Sequence, residues 1–153
     1  MKTTEQYGKK ADLALGMWVK LARSYSVFNK KTVDQIRTFG LTQPQFGVLE
    51  CLGHLGIMPI GDISGKLLMS CGNATIIIDN LEKEGLVERI REKNDRRVIK
   101  VGLTEKGQNL FNEIFVKHYE YIVELASVLS DDEQEQLSVL LKKLGTNIEG
   151  KQF

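Results

Sequence analysis

Apolar residues recur every three or four positions along most of this chain and every two positions over one short stretch, which predicts helices interrupted by a small hairpin. From roughly residue 7 to 39, Leu13, Met17, Leu21, Tyr25 and Phe28 keep helical spacing with Trp18 beside them, and Gly40 ends this first long helix. Thr42 is suited to cap a second helix, with Pro44 early, where its missing amide costs little, and Phe46, Leu49 and Leu52 inward. Gly53, Gly56 and Pro59 mark its end and a short extended link, and residues 60–68 read as a third helix. Thr104 caps a fifth, with Leu110, Ile114 and Phe115 inward. Ser130 and Glu133 have the spacing of a capping box for the last, whose stripe is Leu137, Leu140, Leu141, Leu144 and Ile148. The expected fold class is mainly α with a small β-hairpin.

Residues 70–84 form the fourth helix. Ser70 is a good N-cap, because its hydroxyl can accept a hydrogen bond from a first-turn amide. Ala74, Ile77, Ile78 and Leu81 fall at offsets of three, four and seven, a stripe that requires burial. The other face carries Asn73, Ile76, Asn80 and Lys83. Asp79 and Lys83 lie four apart, a pairing that adds only about 0.2–0.5 kcal/mol. Gly85 offers the left-handed residue that stops the helix. This stretch reads either as a plain amphipathic surface helix or as one whose amide-rich face lies against base edges.

The next residues favour the second reading. Residues 87–91 and 98–103 are rich in β-branched side chains, with Ile90, Ile99, Val101 and Leu103 at strand spacing, joined by a polar link. Their tip and flanks hold Arg89, Arg91, Lys93, Arg96, Arg97 and Lys100 against Glu88, Glu92 and Asp95. A helix beside a basic two-stranded ribbon fits one groove of DNA while reaching toward the next.

Three runs, LTQPQFGVLECL (41–52), GNATIIIDNLEKEGLV (72–87) and DRRVIKVGLTEKG (95–107), resemble the MarR family of bacterial winged helix-turn-helix transcription regulators. They stand in the family's order and spacing, and the likeness extends over essentially the whole chain. The segments VKLARSYSVF and IFVKHYEYIVELASVLSDDEQEQLSVLLKKLG are similar to the branch that responds to quinones and phenols. The resemblance implies one domain over 1–153, with a winged DNA-binding region at 41–107 and dimerisation helices at 7–39 and 104–150. It also implies that Arg97 enters the minor groove, steadied by Asp95. Ile76 departs from the pattern, since many relatives carry a cation or polar residue there; it reads either as a contact to a thymine methyl or as a packed side chain.

The remaining assignments combine chemistry with that resemblance. Asn73, Thr75, Ile76 and Asn80 are candidates for the major groove, and Lys93, Arg96, Lys66 and Ser70 for phosphates. The second helix start, near Thr42, Gln43 and Gln45, could offer amides to another phosphate. A small aromatic effector is expected near Met17, Trp18, Tyr25, Phe28, Phe46 and His54, although aromatic residues at helical spacing also suit a plain core. Cys71, at a helix N-terminus, is either a redox-responsive thiol or an inert small residue, and Cys51 is expected to be structural.

The net charge of +1 looks small for a protein that binds nucleic acid, but its distribution matters more. Residues 1–40 carry eight Lys or Arg and three Asp or Glu, residues 83–106 eight against five, and residues 107–153 four against eight. A basic face opposed by an acidic helical rear is the natural inference. The apolar stripes of the terminal helices exceed what a small winged domain can cover, so they read as a homodimer seam or, alternatively, as an internal bundle. A two-fold dimer would set two reading helices roughly 34–36 Å apart on a palindromic operator. No apolar run approaches a membrane span, and MKTTEQYGKK lacks the centre of a signal peptide, so a cytoplasmic protein is expected. Two cysteines and two histidines without ligand spacing argue against a metal, and no cofactor is expected. No phosphate loop, HExxH or GxSxG supports an enzyme. The rival function is a winged-helix adaptor for other proteins that does not bind DNA.

Overall fold

The computed structural model describes residues 7–91 and 99–149, and its elements follow the predicted order. They are α1 (Lys9–Thr38), α2 (Gln43–Leu55), β1 (Met58–Pro59), α3 (Ile60–Lys66), α4 (Cys71–Lys83), β2 (Val87–Arg91), β3 (Ile99–Leu103), α5 (Glu105–Ala126) and α6 (Asp131–Glu149). The hairpin gains a third strand that the sequence shows only as an extended link. Met58 pairs with Val101 and Pro59 with Lys100, giving an antiparallel sheet in the order β1-β3-β2. Proline is tolerated there because β1 lies at an edge, where one side of the strand needs no ladder donor. Across the hairpin proper, Val87 faces Leu103 and Arg89 faces Val101. Val98 lies outside the described residues.

Contacts divide the chain into two compact units, Met1–His118 and Tyr119–Phe153. The first has a continuous core in which Val48 and Leu49 of α2, Ile63 of α3, Ile78 and Leu81 of α4, Val87 of β2 and Val101 of β3 are fully buried. Each such side chain removes enough apolar surface from water to contribute about 1.5–3 kcal/mol. Ile114 of α5 is buried with them, while Leu110 and Phe115 pack against the edge. Phe111, which the periodicity does not single out, is also buried, and its ring would lie 2.4 Å from a Cβ placed at Gly53.

Caps fix the helix ends. Thr42 and Gln45 form a reciprocal capping box on α2, with Pro44 in the first turn. The α4–β2 corner is made by Gly85 at φ 71° and is closed by the start of α5. There the Thr104 amide donates to the Leu86 carbonyl at 3.1 Å, the Thr104 hydroxyl to the Gly85 carbonyl at 2.7 Å, and Lys106 Nζ to the Glu84 carbonyl at 2.7 Å. The Gly107 amide in turn donates to Thr104 Oγ1 at 3.0 Å. A Cβ at Gly107 would stand 1.9 Å from the Leu86 oxygen, so only glycine permits this approach. The LTEKG run is thus an architectural lock that holds the α4–β2 corner against the start of α5.

In the second unit, Gln134 Nε2 donates to the Leu129 carbonyl at 3.0 Å and the Ala126 carbonyl at 3.3 Å, fastening the α5–α6 turn. Ser130 and Glu133 form the expected capping box: the Ser130 amide donates to Glu133 Oε2 at 2.9 Å and the Glu133 amide to Ser130 Oγ at 3.4 Å. Leu137, Leu140, Leu141 and Ile148 of α6 remain exposed. Among the described residues no helix is long and apolar enough to cross a membrane.

Candidate nucleic-acid interface

Helix α4 is built so that one face is anchored and the other is open. Ser70 Oγ accepts from the Asn73 amide at 3.2 Å, and the Ser70 carbonyl accepts from the Ala74 amide at 3.0 Å. Ala74, Ile78 and Leu81 are buried and Ile77 is half-buried, as the stripe requires. Asn73, Ile76, Asn80 and Lys83 are exposed. Ile76 is 61% exposed, which removes the packed alternative for it within this chain. The first turn contains no acidic residue. Thr75 sits beside this face rather than at its centre: it is half-buried, and its hydroxyl donates to the Cys71 carbonyl at 2.9 Å.

Around α4, several expected contacts take more specific positions. Lys66 is exposed at the last residue of α3. Leu68, in the turn to α4, holds φ 52°, a left-handed conformation that a γ-branched residue adopts at a cost. Gln43 Nε2 donates to Asn29 Oδ1 at 2.9 Å and Gln45 Nε2 to Glu84 Oε1 at 3.3 Å, so both side chains tie α2 to neighbouring elements, while at the helix start itself the Gln45 backbone amide donates to Thr42 Oγ1 at 3.4 Å. Lys93, Asp95, Arg96 and Arg97 lie outside the described residues.

The pairing of Asp79 with Lys83 is corrected by the structure. Asp79 Oδ1 accepts from Arg89 Nη2 at 2.6 Å, and Glu82 Oε2 accepts from Arg89 Nη1. Glu82 Oε1 also accepts from the Arg89 backbone amide at 3.2 Å. Arg89, one of the cations counted at the hairpin's tip and flanks, is turned onto α4, because β2 begins four residues after the helix ends and runs back along its flank. Burial works against its charge, but the hydrogen bonds and attraction of the two carboxylates outweigh that and hold the guanidinium above its ordinary range. Sequence spacing favours the i,i+4 partner; the signal that could have found Arg89 is the pair Asp79 and Glu82, one helical turn apart on a single flank.

The six residues expected to line an effector site divide between two environments. Phe46 is 3% exposed, its ring 4.5 Å from His118 and 6.4 Å from Phe39 between centroids. His54 stands edge-on to Phe111 and Phe115 at 5.2 and 4.4 Å. Met17, Trp18, Tyr25 and Phe28 are exposed along α1 instead of buried with that cluster. The cluster includes a link that the sequence does not reveal: His118 Nδ1 is 2.8 Å from Gln35 Oε1, whose amide donates to the Lys117 carbonyl at 2.9 Å. Since the amide oxygen can only accept, the His118 Nδ1 carries the proton. Burial pushes this imidazole below the usual histidine range and pushes the Glu50 carboxyl up, the latter offset in part by His54.

The two thiols also differ. Cys51 is buried 3.6 Å from the Met58 sulfur, and burial raises its pKa, the condition of an unreactive thiol. Cys71 is exposed, with its sulfur 3.2 Å from Ser64 Oγ. Among the described residues no group of His, Cys, Asp or Glu is arranged to hold a metal ion.

Comparison with known proteins agrees with this geometry. The sequence profile of the MarR family matches residues 41–99, the span from α2 to the start of β3. The HTH-type transcriptional regulator MhqR of Bacillus subtilis is 39% identical over 140 residues, covering 92% of this chain and 95% of its own. Among solved structures, a mutant of MarR from E. coli complexed with operator DNA superposes with a TM-score of 0.72 at 26% identity, over 84% of this chain and 95% of that one. NadR in complex with 4-hydroxyphenylacetate superposes with a TM-score of 0.70 at 25% identity, over 82% and 89%. With an open face on α4, a three-stranded sheet beside it and a relative matched along nearly its whole length, the chain belongs to the MarR family of winged-helix transcription regulators.

Proposed function

We propose that this protein is a cytoplasmic, homodimeric repressor that binds a palindromic operator and is released from it by a small phenolic or quinone-like ligand. The observation that carries the reading is the α4 surface: Asn73, Ile76 and Asn80 stand exposed on a helix whose first turn has no acid. In a major groove, the two amides can pair bidentately with adenine, and Ile76 can meet a thymine methyl. Ser70 and Lys66 flank this surface toward phosphates, with Thr75 at its margin. Lys93 and Arg96 are assigned to phosphates and Arg97, steadied by Asp95, to the minor groove. Residues 41–107 serve as the DNA-binding region and 7–39 with 104–150 as dimerisation helices of a single domain.

The solved MarR complex with operator DNA and the solved NadR complex with 4-hydroxyphenylacetate support the two halves of this reading by analogy. A dimer that spans two half-sites at one spacing loses DNA affinity when a ligand favours another spacing, by its differential affinity for the two shapes. The ligand is assigned to the exposed α1 residues Met17, Trp18, Tyr25 and Phe28 together with Phe46 and His54 of the aromatic cluster, two groups that a single bound phenol would have to bridge.

The test is a salt-titrated shift assay. Affinity is expected to fall steeply as salt rises, since each phosphate-bound cation displaces counterions; a flat response favours the adaptor function instead. Arg97→Ala should weaken binding to every sequence by about 1–3 kcal/mol, whereas Asn73→Ala should also alter base preference at one symmetric position. For release, a phenol that does not react with thiols should dissociate the complex equally in the parent and in a Cys71→Ala variant. Loss of response to an electrophilic quinone in that variant alone would assign alkylation of Cys71. If neither compound acts on folded protein, the ligand assignment falls.

A further inference from the structure

We propose that Arg89 is a positioning residue for DNA recognition: by bridging Asp79 and Glu82, it clamps the first wing strand to the flank of the reading helix and fixes the angle at which the two meet DNA. The inference rests on the DNA-binding reading of α4 and goes beyond it, because Arg89 touches no base or phosphate in this role.

Three polar contacts converge on the clamp. Asp79 takes one guanidinium nitrogen at 2.6 Å, Glu82 takes the other, and Glu82 also accepts the Arg89 backbone amide at 3.2 Å. One acid-bearing flank therefore holds both the head and the root of the arginine, and rotation of β2 about its own axis would break all three contacts. The arginine side chain is only 22% exposed, against 46% and 39% for its partners. Its stem is thus covered while the carboxylates face solvent. A planar, forked donor is required to reach two acceptors one helical turn apart; a lysine ammonium has no such fork. The contact lies on the same helix as Asn73, Ile76 and Asn80 but on the neighbouring flank, between the base-reading face and the buried stripe. The sheet by itself does not set this angle, since β2 pairs with β3 and has no ladder hydrogen bonds to α4.

The geometry predicts that loss of the clamp costs discrimination more than it costs attraction. The probe is a duplex selected by the parent protein from a randomised pool, compared with a scrambled duplex of the same length. Arg89→Gln should reduce the ratio of the two affinities by about tenfold or more, a size typical for one mispositioned recognition element, with the salt dependence unchanged. The Asp79→Asn, Glu82→Gln double variant should reduce the ratio by a similar factor, even though it makes each protomer more positive. The triple variant should reduce it no further, because all three residues act as one unit. Arg89→Lys should fall between the parent and Arg89→Gln; with the double variant it carries the test if Arg89→Gln does not fold, as judged by circular dichroism. A purely structural role would lower the active fraction and leave the ratio unmoved.

Three results would overturn the proposal. One is a parallel drop in both affinities with a shallower salt dependence, which makes Arg89 a phosphate contact. Another is strict additivity of the variants, and the third is an unchanged ratio in folded Arg89→Gln. If the parent selects no duplex at all, the DNA-binding reading fails and the clamp fails with it.

Discussion

The winged region and the terminal helices put their apolar side chains to opposite ends. Between α2 and β3, the large apolar residues of the inner faces are gathered into one core, with Leu49, Ile63, Ile78 and Val101 sealed from solvent. Along α1, Leu13, Trp18 and Tyr25 are exposed, and along α6 so are Leu137, Val139 and Leu140, though both helices have strong helical periodicity. Burial in the winged region comes from short elements folding back on one another within a few dozen residues. A long straight helix has no such recourse, and an uncovered apolar stripe of this size marks an association surface. The first region is therefore expected to be stable through its own packing, and the second through a second copy of the chain.

The winged region should be most sensitive where α5 locks the α4–β2 corner. Gly107→Ala should cost about 4 kcal/mol or more, because backbone rather than a movable side chain occupies the space where the Cβ must go. Urea unfolding at fixed concentration checks it; a loss under about 1 kcal/mol would mean that the corner can open. Leu49→Ala should cost about 2–5 kcal/mol by leaving a cavity in a region already packed on every side.

Substitutions on the exposed stripes should behave differently. Leu140→Glu or Trp18→Glu should change the stability of the isolated chain by no more than about 0.5 kcal/mol. Either should nonetheless weaken self-association at least about tenfold, seen as a loss of the concentration dependence of Tm. Sedimentation of the parent as a monomer at all concentrations would remove the basis for the contrast.

Smaller effects sharpen the boundary between the regions. His118 joins α5 to Gln35 of α1 and to Phe46 of α2, and burial favours its neutral ring. The unfolded chain takes up a proton near pH 6.5 while the native imidazole still resists it, so stability is full above that value. It then declines as the pH falls through it, until the native ring itself titrates. The urea midpoint of the parent should drop between about pH 7.5 and 5.5 by more than that of His118→Gln; equal drops would place the sensitivity elsewhere. Least of all, Leu68→Asn should raise stability by a few tenths to about 1 kcal/mol, because asparagine tolerates the left-handed conformation that leucine occupies at φ 52°. A decrease would show that the leucine side chain makes a compensating contact.

Much of the fold was legible because the signals are local. Ser70, Thr42 and Ser130 cap helices three residues ahead of their partners, and Gly85 turns one corner with a conformation that only its own backbone must adopt. The candidate reading face was legible for the same reason: the buried offsets of Ala74, Ile78 and Leu81 leave Asn73, Ile76 and Asn80 outside. The pairing of Asp79 was misread because an i,i+4 partner is the nearest one along the helix, whereas Arg89 comes from the adjoining strand.

Helix ends, the place of the hairpin and the apolar face of α4 are all written locally in the chain, since each depends on residues within one or two turns. Packing between distant elements settled the rest: that Arg89 neutralises Asp79, that Pro59 joins the sheet edge, that Gly107 must admit the Leu86 carbonyl, and that Gln35 meets a histidine 83 residues away. It also separated the buried Phe46 from the exposed Trp18, two residues with the same aromatic signature. Periodicity states that a side chain needs cover, but it is silent on what supplies the cover, because that depends on how distant elements pack in three dimensions.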